Sequence, residues 1–290
     1  LAKAGARIAY IADLNGAADG ELRNVEIITA AGAAAAVTLD LSDQTDAFEV
    51  IGSDNDDTIA MGLNLTSGDT IDGGLGNDEL TFTDNNGAAD DLDNVTGIET
   101  VTLGDAATAV TTVDGLVAAG ATLTVDGSAL TAGQTLTWDG SAEADGSFDI
   151  TGGDDNDAIT GGSGSDTLTG GSGDDTITAD DTDVVDGGAG TDTVEYAASV
   201  AAANLGDGDL ANTENVDITN GIAGTYDFSN QTENLNITGG VNDDDITGGA
   251  GDDTFVMGVN LDSNDTIDGG LGNDELTFTD SNVAADDLDN

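Results

Sequence analysis

Apolar side chains recur at a nine-residue step along much of this chain. One ladder runs Ile150, Ile159, Leu168, Ile177, Val185 and Val194, with steps of 9, 9, 9, 8 and 9, and Trp138 lies 12 residues before it. A second runs Phe228, Ile237, Ile246, Phe255, Ile267 and Leu276, and a third Leu41, Val50, Ile59, Ile71 and Leu80. In each of these two, a single step of 12 interrupts the nines. Triplets such as Leu123-Thr124-Val125, Leu136-Thr137-Trp138 and Val216-Asp217-Ile218 alternate apolar and polar, as short strands do. Strands half a coil apart, each sending one residue into a narrow interior, account for this spacing. It predicts an all-β chain wound as a right-handed parallel β-roll or β-helix solenoid, a quasi-one-dimensional stack of repeats. The looser spacing outside the ladders predicts wider coils there.

The polar positions between the ladder residues are equally regular. Eight nine-residue units begin with Gly-Gly, carry Asp at the sixth place and an apolar residue at the eighth. Their aspartates are Asp78, Asp157, Asp166, Asp175, Asp192, Asp244, Asp253 and Asp274. Asp57, Asp69, Asp183 and Asp265 stand two places before a ladder residue in weaker units. The first and fourth places supply Gly73, Gly76, Gly152, Gly161, Gly164, Gly170, Gly173, Gly187, Gly190, Gly239, Gly248, Gly251, Gly269 and Gly272. Two units have Asp155 and Asn242 at the fourth place instead. Glycine there lets a loop take positive φ and turn its carbonyls inward, while the Asp offers hard carboxylate oxygen. These aspartates and glycines are the candidate metal ligands. Loops one coil apart, 18 residues along, should share an ion, with the Gly152 and Gly170 loops the best such pair.

Charge makes a cation necessary. Fifty-nine acidic residues face three bases, Lys3, Arg7 and Arg23, for a formal net charge of −56. Self-repulsion on that scale opposes compaction, and high charge with 3% aromatics would ordinarily mean disorder. The 38% of apolar residues, placed periodically, argue for a fold. Calcium reconciles the two, since each ion removes two charges and takes six to eight oxygen ligands. Nucleic acid is a poor partner without Lys or Arg, and no apolar run approaches the roughly 20 residues of a membrane span. Cysteine and proline are both absent; the second suits an unbroken hydrogen-bonded ladder.

The units resemble the RTX, or haemolysin-type, calcium-binding family, whose consensus is G-G-x-G-x-D-x-U-x. Segments such as GIETVTLGDAATAV resemble the β-rich stretches of RTX-containing bacterial S-layer proteins and giant repetitive adhesins. The resemblance implies several calcium ions per chain, secretion, and folding outside the cell or at the bacterial surface, where calcium is millimolar. The opening LAKAGARIAYIADLNGAADG resembles the second-strand region of short-chain dehydrogenases, but that family's glycine fingerprint and Tyr-x-x-x-Lys are missing. No histidine is available for a zinc protease or a Ser-His lipase. Parallel β-helix lyases and glycan-gripping RTX modules need basic side chains, and residues 24–290 have none. A non-enzyme is the expectation.

A larger period overlies the small one. Residues 65–94 recur at 261–290 with four differences, an offset of 196. The expected organisation is a partial repeat over 1–93, wider coils followed by the main roll (152–195) over 94–208, and a second copy of the first unit over 209–290. Such a superunit favours a self-assembling structural protein (surface layer, fibre or adhesin stalk) whose partner is itself, within a longer tandem array. A cell-surface glycan would be met through regions outside this chain. The alternative is the calcium-binding portion of a larger secreted enzyme or toxin. Under either reading folding is calcium-driven: circular dichroism should report a disordered chain in EGTA and β structure once millimolar calcium is restored. Full β structure in chelator would count against the metal requirement.

Overall fold

The computed structural model describes residues 25–84, 92–196, 198, 200, 206, 208–258, 261 and 264–278, and the backbone of 6–9. Of the opening segment that resembles a dehydrogenase only the backbone of 6–9 is described, and the bases Lys3 and Arg23 lie outside the described residues. The chain divides into two compact units, residues 1–155 with 162–164, and 156–161 with 165–290. Among the described residues there is no helix, and every strand pairing is parallel.

In the first unit one sheet stacks Ala6–Ala9, Val25–Thr29, Glu49–Ile51, Thr70–Asp72 and Val95–Thr96. A second stacks Thr38–Asp40, Thr58–Gly62, Glu79–Phe82, Thr100–Leu103, Thr122–Asp126 and Ser147–Thr151. Thr108–Thr111 pairs with Leu136–Asp139. In the second unit the longest sheet is Ala158–Thr160, Thr176–Ala179, Thr193–Tyr196, Asn215–Asp217, Asn236–Thr238, Thr254–Gly258 and Glu275–Phe278. Two shorter ones are Thr167–Ser172, Val184–Ala189, Leu210–Ala211 and Gly224–Asp227, Asp244–Thr247, Thr266–Asp268. Successive strands mostly alternate between sheets, so the backbone coils and each strand hydrogen-bonds to the one a full coil away. Each unit is a parallel β-solenoid.

The register stacks like on like. Ile59, Leu80, Val101, Val125 and Ile150 form one buried column. Ile159, Ile177, Val194, Val216, Ile237 and Phe255 form another. Neighbours on each strand point outward and are mostly Thr, Asp or Asn, which suits a half-buried pleated surface. Coils set by the nonapeptides return after 17 to 21 residues, as Leu168 to Val185 and Ile59 to Leu80. Between residues 100 and 151 they are longer: Val110 pairs with Trp138 and Val125 with Ile150. There the interior holds Trp138 and Phe148 edge to face, ring centroids 5.6 Å apart.

Two ladder assignments are corrected. Leu39 and Tyr226, not Leu41 and Phe228, stand in register with Ile59 and Ile246. Leu41 and Phe228 lie just past the strands yet are fully buried. The Asp between each pair accepts the N–H two residues on, Asp40 from Ser42 and Asp227 from Ser229. That turn folds the second apolar side chain back inside. Burial in these columns sets stability: Ile177→Ala should cost roughly 2–5 kcal/mol, whereas the exposed Leu271→Ala should stay within about 0.5 kcal/mol. Chemical denaturation in saturating calcium measures both, and equal losses would contradict the column.

Candidate metal centre: the stacked acidic loops

The nonapeptide aspartates do not face water. Asp57, Asp69, Asp78, Asp157, Asp166, Asp175, Asp183, Asp192, Asp244, Asp253 and Asp265 are all at most 5% exposed. What holds them is a backbone ladder. In most of them one carboxylate oxygen accepts an N–H from the preceding coil: Asp57 N–H donates to Asp78 at 2.7 Å, Asp157 to Asp175 at 2.7 Å, and Asp175 to Asp192 at 2.8 Å. Asp166 donates to Asp183, Asp244 to Asp265, and Asp253 to Asp274. Three ladders begin on apolar residues, with Val37, Phe48 and Leu235 donating to Asp57, Asp69 and Asp253. Asp274 is the exception in burial, being exposed.

The second carboxylate oxygen is often left over. Oδ2 of Asp78, Asp175, Asp192 and Asp244 is buried with no hydrogen-bond partner. A buried acceptor without a donor costs free energy, so four such atoms in one repeated position call for a cation. The first-place glycines leave room for it. A Cβ on Gly161 or Gly248 would sit 2.5 or 2.6 Å from the Oδ2 of its own Asp166 or Asp253. On Gly73, Gly170 or Gly187 it would strike both the unit's own carboxylate and a carbonyl oxygen of the next coil. On Gly269 it would meet Asp274. Space, rather than backbone freedom, fixes glycine at that place.

Backbone freedom matters at the second and fourth places, but in only four loops. Gly74, Gly171, Gly188 and Gly270 have φ from +83° to +114°, and Gly76, Gly173, Gly190 and Gly272 from +129° to +158°. The units opened by Gly152, Gly161, Gly239 and Gly248 have no glycine at positive φ, and where positive φ occurs it falls at the second and fourth places, not the first. Their fourth-place Gly164 and Gly251 are held by closeness instead, each backing onto a carbonyl, of Gly146 and Glu233. The Gly239 loop departs further, since a Cβ there would meet the flexible Met257 side chain. Gly152 is buried. Of the pair of loops expected to share an ion, Asp157 and Asp175 are brought together, and Thr176 also donates to the Asp157 carbonyl at 2.9 Å.

With carboxylate oxygens, inward carbonyls and no nitrogen or sulfur ligand, the site suits a hard cation of calcium's kind. The family model of the RTX calcium-binding nonapeptide repeat matches in four copies, along residues 66–86, 236–256, 261–278 and two overlapping ranges, 151–181 and 161–194. These loops are RTX calcium-binding repeats. No curated protein and no solved structure matches the chain. RTX nonapeptides bind calcium, so the chain takes several ions.

Sequence reading passed over three acidic positions in the RTX and neighbouring coils. Glu99 and Glu214 each accept the N–H of a nonapeptide Asp. Glu143 is fully buried, and its carboxylate oxygens lie within 4.8 Å of those of Asp114 and Asp145. It accepts N–H groups from Val117 and Gly146, and those donors hold its pKa low although burial works against them. Only the acidic run around residue 143 hinted at it.

Burial pushes Asp183 up to about 7, and Asp78, Asp175 and Asp244 up to about 6, from an ordinary 3.8. Backbone donors pull the other way and neighbouring carboxylates add to the rise. Without metal, the fold therefore binds protons more tightly than the unfolded chain does, and stability falls as pH rises from about 4 to about 7. Acid should strengthen the β signal of the calcium-free chain across that window. With calcium present the same protons compete with the ion, so the calcium midpoint should climb as pH drops. A calcium-free β signal that weakens on acidification from pH 7 to pH 5 would contradict this account, as circular dichroism can show.

Proposed function

We propose that this chain is part of an extracellular structural protein that assembles through its solenoid axis and is stabilised by calcium held on the nonapeptide aspartates. RTX repeat proteins are typically secreted, and an RTX repeat solenoid is a structural fold that carries no catalysis of its own. The observation that carries the assembling role is the repeated superunit. Glu275–Phe278 repeats Glu79–Phe82 residue for residue. In the first copy Leu80 and Phe82 are 0% and 3% exposed under Thr100–Leu103, which pairs along them. A superunit that recurs in this way can stack coil upon coil in a longer array.

Charge supplies the control. At −56, end-to-end contact is repulsive until cations bind, so calcium gates assembly as well as folding. Electron microscopy of the native material should show fibres or a sheet in calcium that disperse in EGTA. A calcium-loaded product of the full reading frame that stays a compact monomer at high concentration would overturn the structural role. A single catalytic domain upstream in that frame would favour a secreted enzyme.

A further inference from the structure

Two RTX runs are followed by a described coil that lacks the Gly-Gly and the Asp, yet the last nonapeptide loop of each run is built like the others. In the first unit that loop is opened by Gly73 and ends at Asp78. The coil after it carries Gly97, Ile98 and Glu99. In the second unit the loop runs from Gly187 to Asp192, and the coil after it carries Asn212, Thr213 and Glu214.

The two places share geometry that their sequences do not announce. Gly97 has φ +61° and Asn212 has φ +48°, the only positive φ of any non-glycine among the described residues. Each left-handed residue turns its carbonyl toward the first-place glycine: a Cβ on Gly73 would strike the Gly97 oxygen, and one on Gly187 the Asn212 oxygen. The same Cβ would lie 2.8 Å from Oδ2 of Asp78 in one case and of Asp192 in the other. Carbonyl and carboxylate oxygen thus converge on one side of the glycine. The next residue is buried, Ile98 or Thr213. Then comes the glutamate, placed where a further nonapeptide would have its Asp. Oε2 of Glu99 accepts the Asp78 N–H at 2.8 Å, and Oε2 of Glu214 accepts the Asp192 N–H at 2.9 Å.

Two aspartate oxygens remain unanswered there. Asp78 and Asp192 are each 1% exposed, and Oδ2 of both is buried without a partner. Around each stand two carboxylates, an inward carbonyl and no base. We propose that Glu99 and Glu214 complete two further calcium sites, each shared between the last nonapeptide loop and the glutamate coil that closes the run. Glutamate takes the place of the Asp here on a coil that is not a Gly-Gly turn. These two RTX runs thereby end on a full site instead of an unpaired half. These two sites stand on the calcium-binding repeats and are independent of whether the chain polymerises.

Glu99→Gln and Glu214→Gln separate a ligand from a cap. Gln keeps an oxygen for the Asp N–H but removes the charge a cation needs. Equilibrium dialysis of the whole chain against radioactive calcium should find one ion fewer in each variant and two fewer in the double variant. Glu49→Gln, at an exposed site, should match the parent. Parent-like calcium counts in both variants would overturn the proposal and leave the glutamates as hydrogen-bond caps. Should a Gln variant lose its β signal in saturating calcium, Glu→Asp at the same position decides: recovery of signal and of the ion supports the site, and no recovery counts against it.

Discussion

Everything in this molecule depends on carboxylates that are buried beside one another with no basic partner. From residue 24 onward no side chain is positive, yet eleven nonapeptide aspartates are withdrawn from water. Burying an unpaired charge is costly, and here the cost recurs at every coil. Backbone N–H groups answer one oxygen of most of these carboxylates, which orders the ladder without neutralising it. The remaining oxygen and the remaining charge need a divalent ion. The fold is in this sense half of a structure whose other half is inorganic.

The glycines follow from the same constraint. At the first place a methyl group would occupy the space between an aspartate oxygen and the next coil's carbonyl, as at Gly73 and Gly187. Positive φ is a separate requirement, met at the second and fourth places of four loops only. The loop is therefore conserved in its cavity more than in its backbone path. Around it, the apolar columns set the distance between coils and the parallel ladders hold them in register, so each aspartate stands one coil from the next.

Electrostatics couples the coils. Asp175 is pushed up by burial and then by Asp157 and Asp192 on either side of it, so the state of one loop is felt by the next. Nearest-neighbour coupling of this kind is what makes repeat proteins cooperative along one dimension. It also explains why ends matter. A run that stopped on an unpaired aspartate would leave its last charge unanswered, and where the runs close at Asp78 and Asp192 a glutamate stands opposite.

The nine-residue period by itself determined the strands, the inward columns and the aspartates that stack, because a strand plus a tight turn has nearly fixed length and period survives without long-range information. Steps of 12 and 9 in sequence became coils of 21 in space, as from Ile59 to Leu80. The register of Leu39 over Leu41, and of Tyr226 over Phe228, was decided only by the turn between them, since both choices bury an apolar side chain. Which oxygens go unanswered, which loops need positive φ, and that Glu99 and Glu214 stand in an aspartate's place were likewise decided by tertiary structure. Those facts depend on what the neighbouring coil presents, 17 to 22 residues away, and no local pattern records what a stacked neighbour does.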